Sequence, residues 1–197
     1  MPDARVLFLG DELLLLCREQ AAAILRNDGL TVVGPDASLG AAADIAECAA
    51  RVIDLHQPDI ALLVCSPYGF ENTPGAARGD IPLSLPDFER TLISLSQTVP
   101  RFCGSQVACT TIPPIHIDRL GAHIDSRDAA AGFQRQIDQF NQLALDIFGE
   151  FNILVRPIHE NVARHIDDDL ATDGFHLTPS GIARYASEFA AAVYEAL

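Results

Sequence analysis

The sequence contains no lysine, so all 13 basic residues are arginines, and any mechanism that needs a lysine amine, a Schiff base above all, is excluded. Tryptophan is absent, methionine occurs once and tyrosine three times. No apolar run approaches the roughly 20 residues that cross a bilayer; the best candidate, Val6 to Cys17, is broken by Asp11 and Glu12. That stretch also lacks the basic lead-in and small-residue cleavage site of a secretory leader, so a cytosolic (cytoplasmic) protein is expected. Acidic residues outnumber basic ones 27 to 13, leaving a formal net charge of −14. Such a field repels nucleic acid and anionic membranes, and neither is expected as a partner.

Cysteine is sparse and unpatterned. Cys17, Cys48, Cys65, Cys103 and Cys109 are an odd number without C-x-x-C spacing, which reads as reduced thiols lying mostly inside apolar segments. His116 and His123 stand near Asp118 and Asp125, and His159 and His165 near Asp167, Asp168 and Asp169, but no H-E-x-x-H or H-x-x-x-H helix is present. The three consecutive aspartates read as a solvated loop, and no metal site is expected. Gly10, Gly34 and Gly40 do not form G-x-G-x-x-G, and a phosphate-binding G-x-x-x-x-G-K-[ST] loop is missing. No cofactor is expected.

What is present reads as one domain of alternating strands and helices, for which 197 residues are ample. Val6 to Leu9 is a short apolar run closed by Gly10, and Leu13 to Asn27 then carries apolar residues at helical spacing. Leu30 to Val33 is a second strand, Ala41 to Leu55 a helix, and Ile60 to Cys65 a continuous apolar run of the kind buried on both faces of a parallel sheet. Residues 66 to 86 are rich in Pro, Gly and polar groups, a long loop of the sort that carries function. Pro86 to Gln97 reads as helix, Gln106 to Ile115 as strand, Ala129 to Phe148 as a long helix and Ile153 to Val155 as the last strand. The final helix runs from Pro179 to Leu197, with Thr178 as its cap and Pro179 at the first helical position. This order predicts an α/β fold: a three-layer α/β/α sandwich around a mostly parallel five-stranded sheet, with ligands bound outside the carboxyl ends of the strands.

The chemistry-bearing residues collect at that edge. Asp11 and Glu12 follow the first strand, Ser38 and Gly40 the second, Ser66 to Asn72 the third, and Asp173 and His176 lie in the loop before the last helix. Asp-x-x-His spacing lets one carboxylate orient one imidazole, which is half of a hydrolase triad. On these blocks the chain resembles the SGNH, or GDSL-like, hydrolase family over nearly its whole length. The family's opening block, an apolar strand followed by Gly-Asp-Ser, is matched by Val6 to Asp11 with Glu12 in the serine position. Its oxyanion glycine corresponds to Gly40 in Ser38-Leu39-Gly40; its Gly-x-Asn-Asp block falls on Cys65-Ser66-Pro67-Tyr68-Gly69, with Tyr68 in the asparagine position. The closing Asp-x-x-His, Leu-Thr and later Gly are matched by Asp173, His176, Leu177, Thr178 and Gly181.

The resemblance implies an α/β hydrolase-like enzyme acting on a small-molecule substrate, with serine attack replaced. A glutamate has no hydroxyl proton to give up, and its charge opposes an incoming oxyanion. Three chemistries stay open: Glu12 as a carboxylate nucleophile whose ester is hydrolysed by water activated at His176; Glu12 and His176 as general base and acid; or acyl transfer by Ser66 or Cys65 with Tyr68 or Asn72 as donor. Catalysis is thus expected from Glu12, Asp173 and His176, and substrate or oxyanion binding from Asp11, Gly40, Ser66, Tyr68 and Asn72. Asp11 also suits a side-chain to backbone bond that holds its turn. The reading from a different class is an inactive member of the fold that binds a ligand or a protein in the same cleft.

Overall fold

A computed structural model describes residues 4–66, 83–102 and 106–197. Tyr68, Asn72 and Cys103 lie outside the described residues. Five short strands form the sheet: β1 (Arg5–Gly10), β2 (Thr31–Val33), β3 (Ile60–Val64), β4 (Val107–Thr110) and β5 (Leu154–Arg156). Every pairing is parallel, in the order β2-β1-β3-β4-β5. β3 is buried at all five positions because helices cover both sides of it.

One layer is made by α1 (Glu12–Asn27), α6 (Ile158–Ala163) and α8 (Pro179–Ala196), which bury Leu13, Leu14, Cys17, Tyr185 and Phe189 against Phe8, Leu62 and Ala108. The other layer holds α2 (Ala42–His56), α3 (Leu85–Phe102) and α5 (Arg127–Glu150), with Ile45, Phe88, Leu92 and Phe140 against Leu7, Leu63 and Cys109. Alternation along each strand explains the split, since successive side chains leave opposite faces of the sheet. The three-layer sandwich expected from the sequence is present, and its described sheet is wholly rather than mostly parallel.

Three departures from the sequence reading have local causes. The fourth strand stops at Thr110 rather than running to Ile115 because the α5 residue Asn141 takes over the pairing: its Oδ1 accepts Ile112 N–H at 2.6 Å and its Nδ2 donates to Ile112 O at 2.9 Å. α3 continues past Gln97 to Phe102, with Pro100 in its closing turn. The short helices α4 (Ile117–His123), α6 and α7 (Ile166–Asp169) were not expected, being too brief to show a period. The aspartate run is helical rather than a loop, and its solvated reading holds for Asp167 and Asp168, which are exposed, but fails for Asp169, which has no exposed surface at all.

The cysteines Cys17, Cys48, Cys65 and Cys109 are free thiols. Among the described residues no helix is long and apolar enough to cross a membrane, and no group of three or more His, Cys, Asp or Glu is placed to hold a metal ion.

Candidate active site

The sheet order doubles back at β1: the chain leaves it toward β2 on one side, and β3 pairs on the other. Carboxyl ends that part in this way leave a crevice between the loops that follow them. Asp11 and Ser66 meet there. Asp11 caps α1, its Oδ1 accepting Leu13 N–H at 3.0 Å, while its Oδ2 accepts the Ser66 hydroxyl at 2.8 Å. Both are buried. Burial pushes the Asp11 carboxyl up to about 7 and the adjacent Glu12 charge adds to the rise, while the Ser66 hydroxyl and the Leu13 and Leu14 amides oppose it. The pair borders a cavity of about 10 Å³, shared with Thr110 and Ile112, which is room for one water. Thr110 Oγ1 is buried and has no hydrogen-bond partner among the described residues.

Glu12, the next residue, is the first of α1, where the exposed N–H groups of the helix end favour a carboxylate. Its Oε1 accepts the Ser38 hydroxyl at 2.6 Å, and the Ser38 oxygen accepts Gly40 N–H at 3.1 Å. Ser38 thus orients Glu12. The amide matched to an oxyanion donor is engaged by Ser38 in this structure.

Asp173 and His176 form a second unit. The imidazole Nδ1 lies 2.6 Å from Asp173 Oδ2, and Asp173 Oδ1 accepts the backbone N–H groups of Phe175 at 2.9 Å and His176 at 3.0 Å. Burial raises the Asp173 carboxyl, but the His176 ring and the two amides outweigh it, and the group sits below the usual carboxylate value. Phe175 is buried and faces Phe133 with ring centroids 6.4 Å apart, so the turn is anchored from below. His116 N–H donates to Gly174 O at 2.9 Å, tying this loop to the segment after β4 and so to the same edge of the sheet. Gly174 is required there: its φ is +75°, and a Cβ would stand 2.6 Å from His116 O.

Of the residues expected to act together, the structure joins Asp11 to Ser66, Glu12 to Ser38 and Gly40, and Asp173 to His176, all at one edge. Ser38 was placed at this edge by the sequence, but its bond to Glu12 was not foreseen, nor was the tie of the His116 backbone to the histidine loop. No spacing signals them, because each partner lies far away in sequence.

No family model matches the chain, and no curated protein is similar to it in sequence. Solved structures are similar in fold. A lipase/acylhydrolase from Enterococcus faecalis superposes with a TM-score of 0.72 at 14% identity, over 95% of this chain and 94% of that one. Axe2, an acetylxylan esterase from Geobacillus stearothermophilus, gives 0.72 at 16% identity over 98% and 94%. A GDSL-like lipase from Bacteroides thetaiotaomicron gives 0.67 at 13% identity over 98% and 89%. The fold is that of the SGNH, or GDSL-like, hydrolases.

Proposed function

We propose that the protein is a hydrolase-like enzyme for a small molecule, in which Glu12 and the His176–Asp173 pair replace serine acyl transfer. The observation that carries this reading is the histidine pair itself: Asp173, held by two amides, takes Nδ1 at 2.6 Å on a side chain that is 46% exposed. An anchored imidazole at the solvent edge of a parallel sheet is suited to proton transfer through Nε2. A purely structural hydrogen bond has no need of that exposure.

Glu12 supplies the partner charge. In the covalent route a Glu12 oxygen attacks an electrophilic carbon and expels a leaving group, which takes a proton from His176. Water that loses its proton to Nε2 then hydrolyses the glutamyl ester, releasing the product and restoring the carboxylate. In the non-covalent route Glu12 removes a proton and the imidazolium donates one. The Ser38 hydroxyl holds the carboxylate for either. Acyl transfer by Ser66 has one observation in its favour, the hydrogen bond to Asp11; labelling by a serine-reactive fluorophosphonate separates it from the two Glu12 routes.

The test is hydrolysis of a short activated ester by the wild type, Glu12→Gln, Glu12→Ser and His176→Ala, followed by the same panel on small-molecule hydrolase substrates. The expected result is an ester activity that Glu12→Ser creates and His176→Ala removes, and a substrate whose turnover both Glu12→Gln and His176→Ala abolish. A scaffold on which Glu12→Ser creates nothing, with no substrate turned over, sinks the enzyme reading and leaves a ligand- or protein-binding module. Mass analysis of the Glu12 peptide after turnover in isotopically heavy water divides the two routes, because only the covalent one places solvent oxygen in the carboxylate.

A further inference from the structure

The loop that carries Asp173 and His176 is a hairpin whose two ends are fastened at one point. Leu170 bridges Leu177, and Ala171 N–H donates to His176 O at 2.8 Å. Just outside that bridge the chain enters at Asp169 and leaves at Thr178, whose N–H donates to Asp169 O at 2.9 Å. The first turn of α8 then closes on the entry. Thr178 Oγ1 and Ser180 Oγ donate to Asp168 O at 2.7 and 2.9 Å, and Gly181 comes so near that a Cβ there would collide with Asp169 O. Thr178-Pro179-Ser180-Gly181 is therefore a socket for residues 168 and 169, which accounts for a motif that the catalytic reading leaves unexplained.

Inside the socket Asp169 is fully buried. Its Oδ2 accepts Arg184 Nε at 2.5 Å from the next turn of α8, and its Oδ1 has no hydrogen-bond partner among the described residues. The Asp169 end is sealed while the Arg184 side chain is 35% exposed, and an ion pair that buries a carboxylate with one oxygen unfilled is a poor device for stability, because desolvation of the carboxylate offsets much of the attraction. What such a pair does is fix one alignment. We infer that the Asp169–Arg184 pair is a positioning device: it locks the hairpin onto α8 in the one setting that brings His176 and Asp173 to the sheet edge, where Gly174 O accepts His116 N–H. Asp169 and Arg184 are positioning residues, acting through the hairpin and touching no substrate. Their importance for turnover rests on the function proposed above, but their effect on the histidine pair does not.

The test uses the full chain and reads the low-field proton resonance of the His176 ring Nδ1–H at low temperature, assigned by its loss in His176→Ala. Asp169→Leu with Arg184→Leu replaces the pair by apolar groups, a change that is often neutral for stability; Arg184→Gln is the milder variant and Arg184→Lys the conservative one. The expected result is a cooperative melt retained in the double variant while the resonance broadens away in it and in Arg184→Gln, with Arg184→Lys restoring it. A resonance unchanged in every variant that folds overturns the inference and leaves the pair structural. On a Glu12→Ser background the double change is expected to lower kcat about 10- to 100-fold with KM little altered, the scale of a small misplacement of a reacting group. If that background has no turnover the function proposal fails, and the resonance still decides the role of the pair.

Discussion

Replacing Asp11 by asparagine should make the protein more stable at neutral pH and leave it unchanged in acid. Asp11 is raised from 3.8 to about 7 by burial, with help from the Glu12 charge. A folded-state value above the unfolded one means that the folded chain holds the proton more tightly. The stability it confers is therefore complete below about pH 4 and is lost as pH rises toward 7. At 1.36 kcal/mol per unit the shift amounts to about 4 kcal/mol as an upper figure, nearly all of it spread between pH 4 and 7. An asparagine side chain keeps the carbonyl that accepts Leu13 N–H, and its amide can face the Ser66 oxygen with the hydroxyl rotated. It never ionises. Urea unfolding of both proteins from about pH 4 to about pH 8 should give midpoints that coincide in acid and diverge as pH rises, with the Asp11→Asn variant the more stable by up to about 4 kcal/mol at the neutral end. Two curves that stay parallel across that range would show that Asp11 is solvated or paired in a way that burial alone does not describe.

Asn141→Leu removes both partners of the Ile112 backbone and should cost about 2 to 6 kcal/mol, the penalty for two buried groups left unmade; chemical unfolding measures it, and a loss below about 1 kcal/mol would mean that water replaces the amide. Gly181→Ala has to push α8 away from Asp169, so a drop of roughly 1 to 3 kcal/mol is expected, the range for overpacking, and an unaltered melt refutes the close approach. Asp173 has the opposite sign from Asp11: its folded value is depressed, so its stabilisation is present above the ordinary carboxylate value and disappears as pH falls through the lower one. The acid limb of the unfolding curve should flatten in Asp173→Asn, and a limb of unchanged slope would assign it to other carboxylates.

The strands were legible because a parallel sheet covered on both faces demands unbroken apolar runs, and Ile60 to Val64 is such a run. The end of β4 was not, because apolar residues continue through Ile112 and Ile115 while the partner that ends the ladder is a side chain from α5. A similar limit applies at the site. Asp173 and His176 sit three apart, so one turn brings them together and their spacing reveals them. Glu12 and Ser38 are 26 residues apart, and Asp11 and Ser66 are 55 apart; the order of strands in the sheet decides that they meet. The Asp167 to Asp169 run misleads for a further reason. Consecutive charges suggest solvent, yet one turn of helix points successive side chains in different directions, and the third of them faces Arg184.

The packing of α8 against α1 has a consequence for how the molecule is made. Glu12 belongs to the first helix of the described chain and His176 to the approach to the last, so one layer of the sandwich stays open until α8 has been synthesised and docked. β1, β2 and β3, with α2 between them, are local in sequence and can assemble early. The imidazole arrives when the sheet that receives it already exists. A ribosome stalled before α8 would thus hold a partly folded chain whose sheet face, covered by α1 and α6 alone, stays partly open to chaperones and proteases.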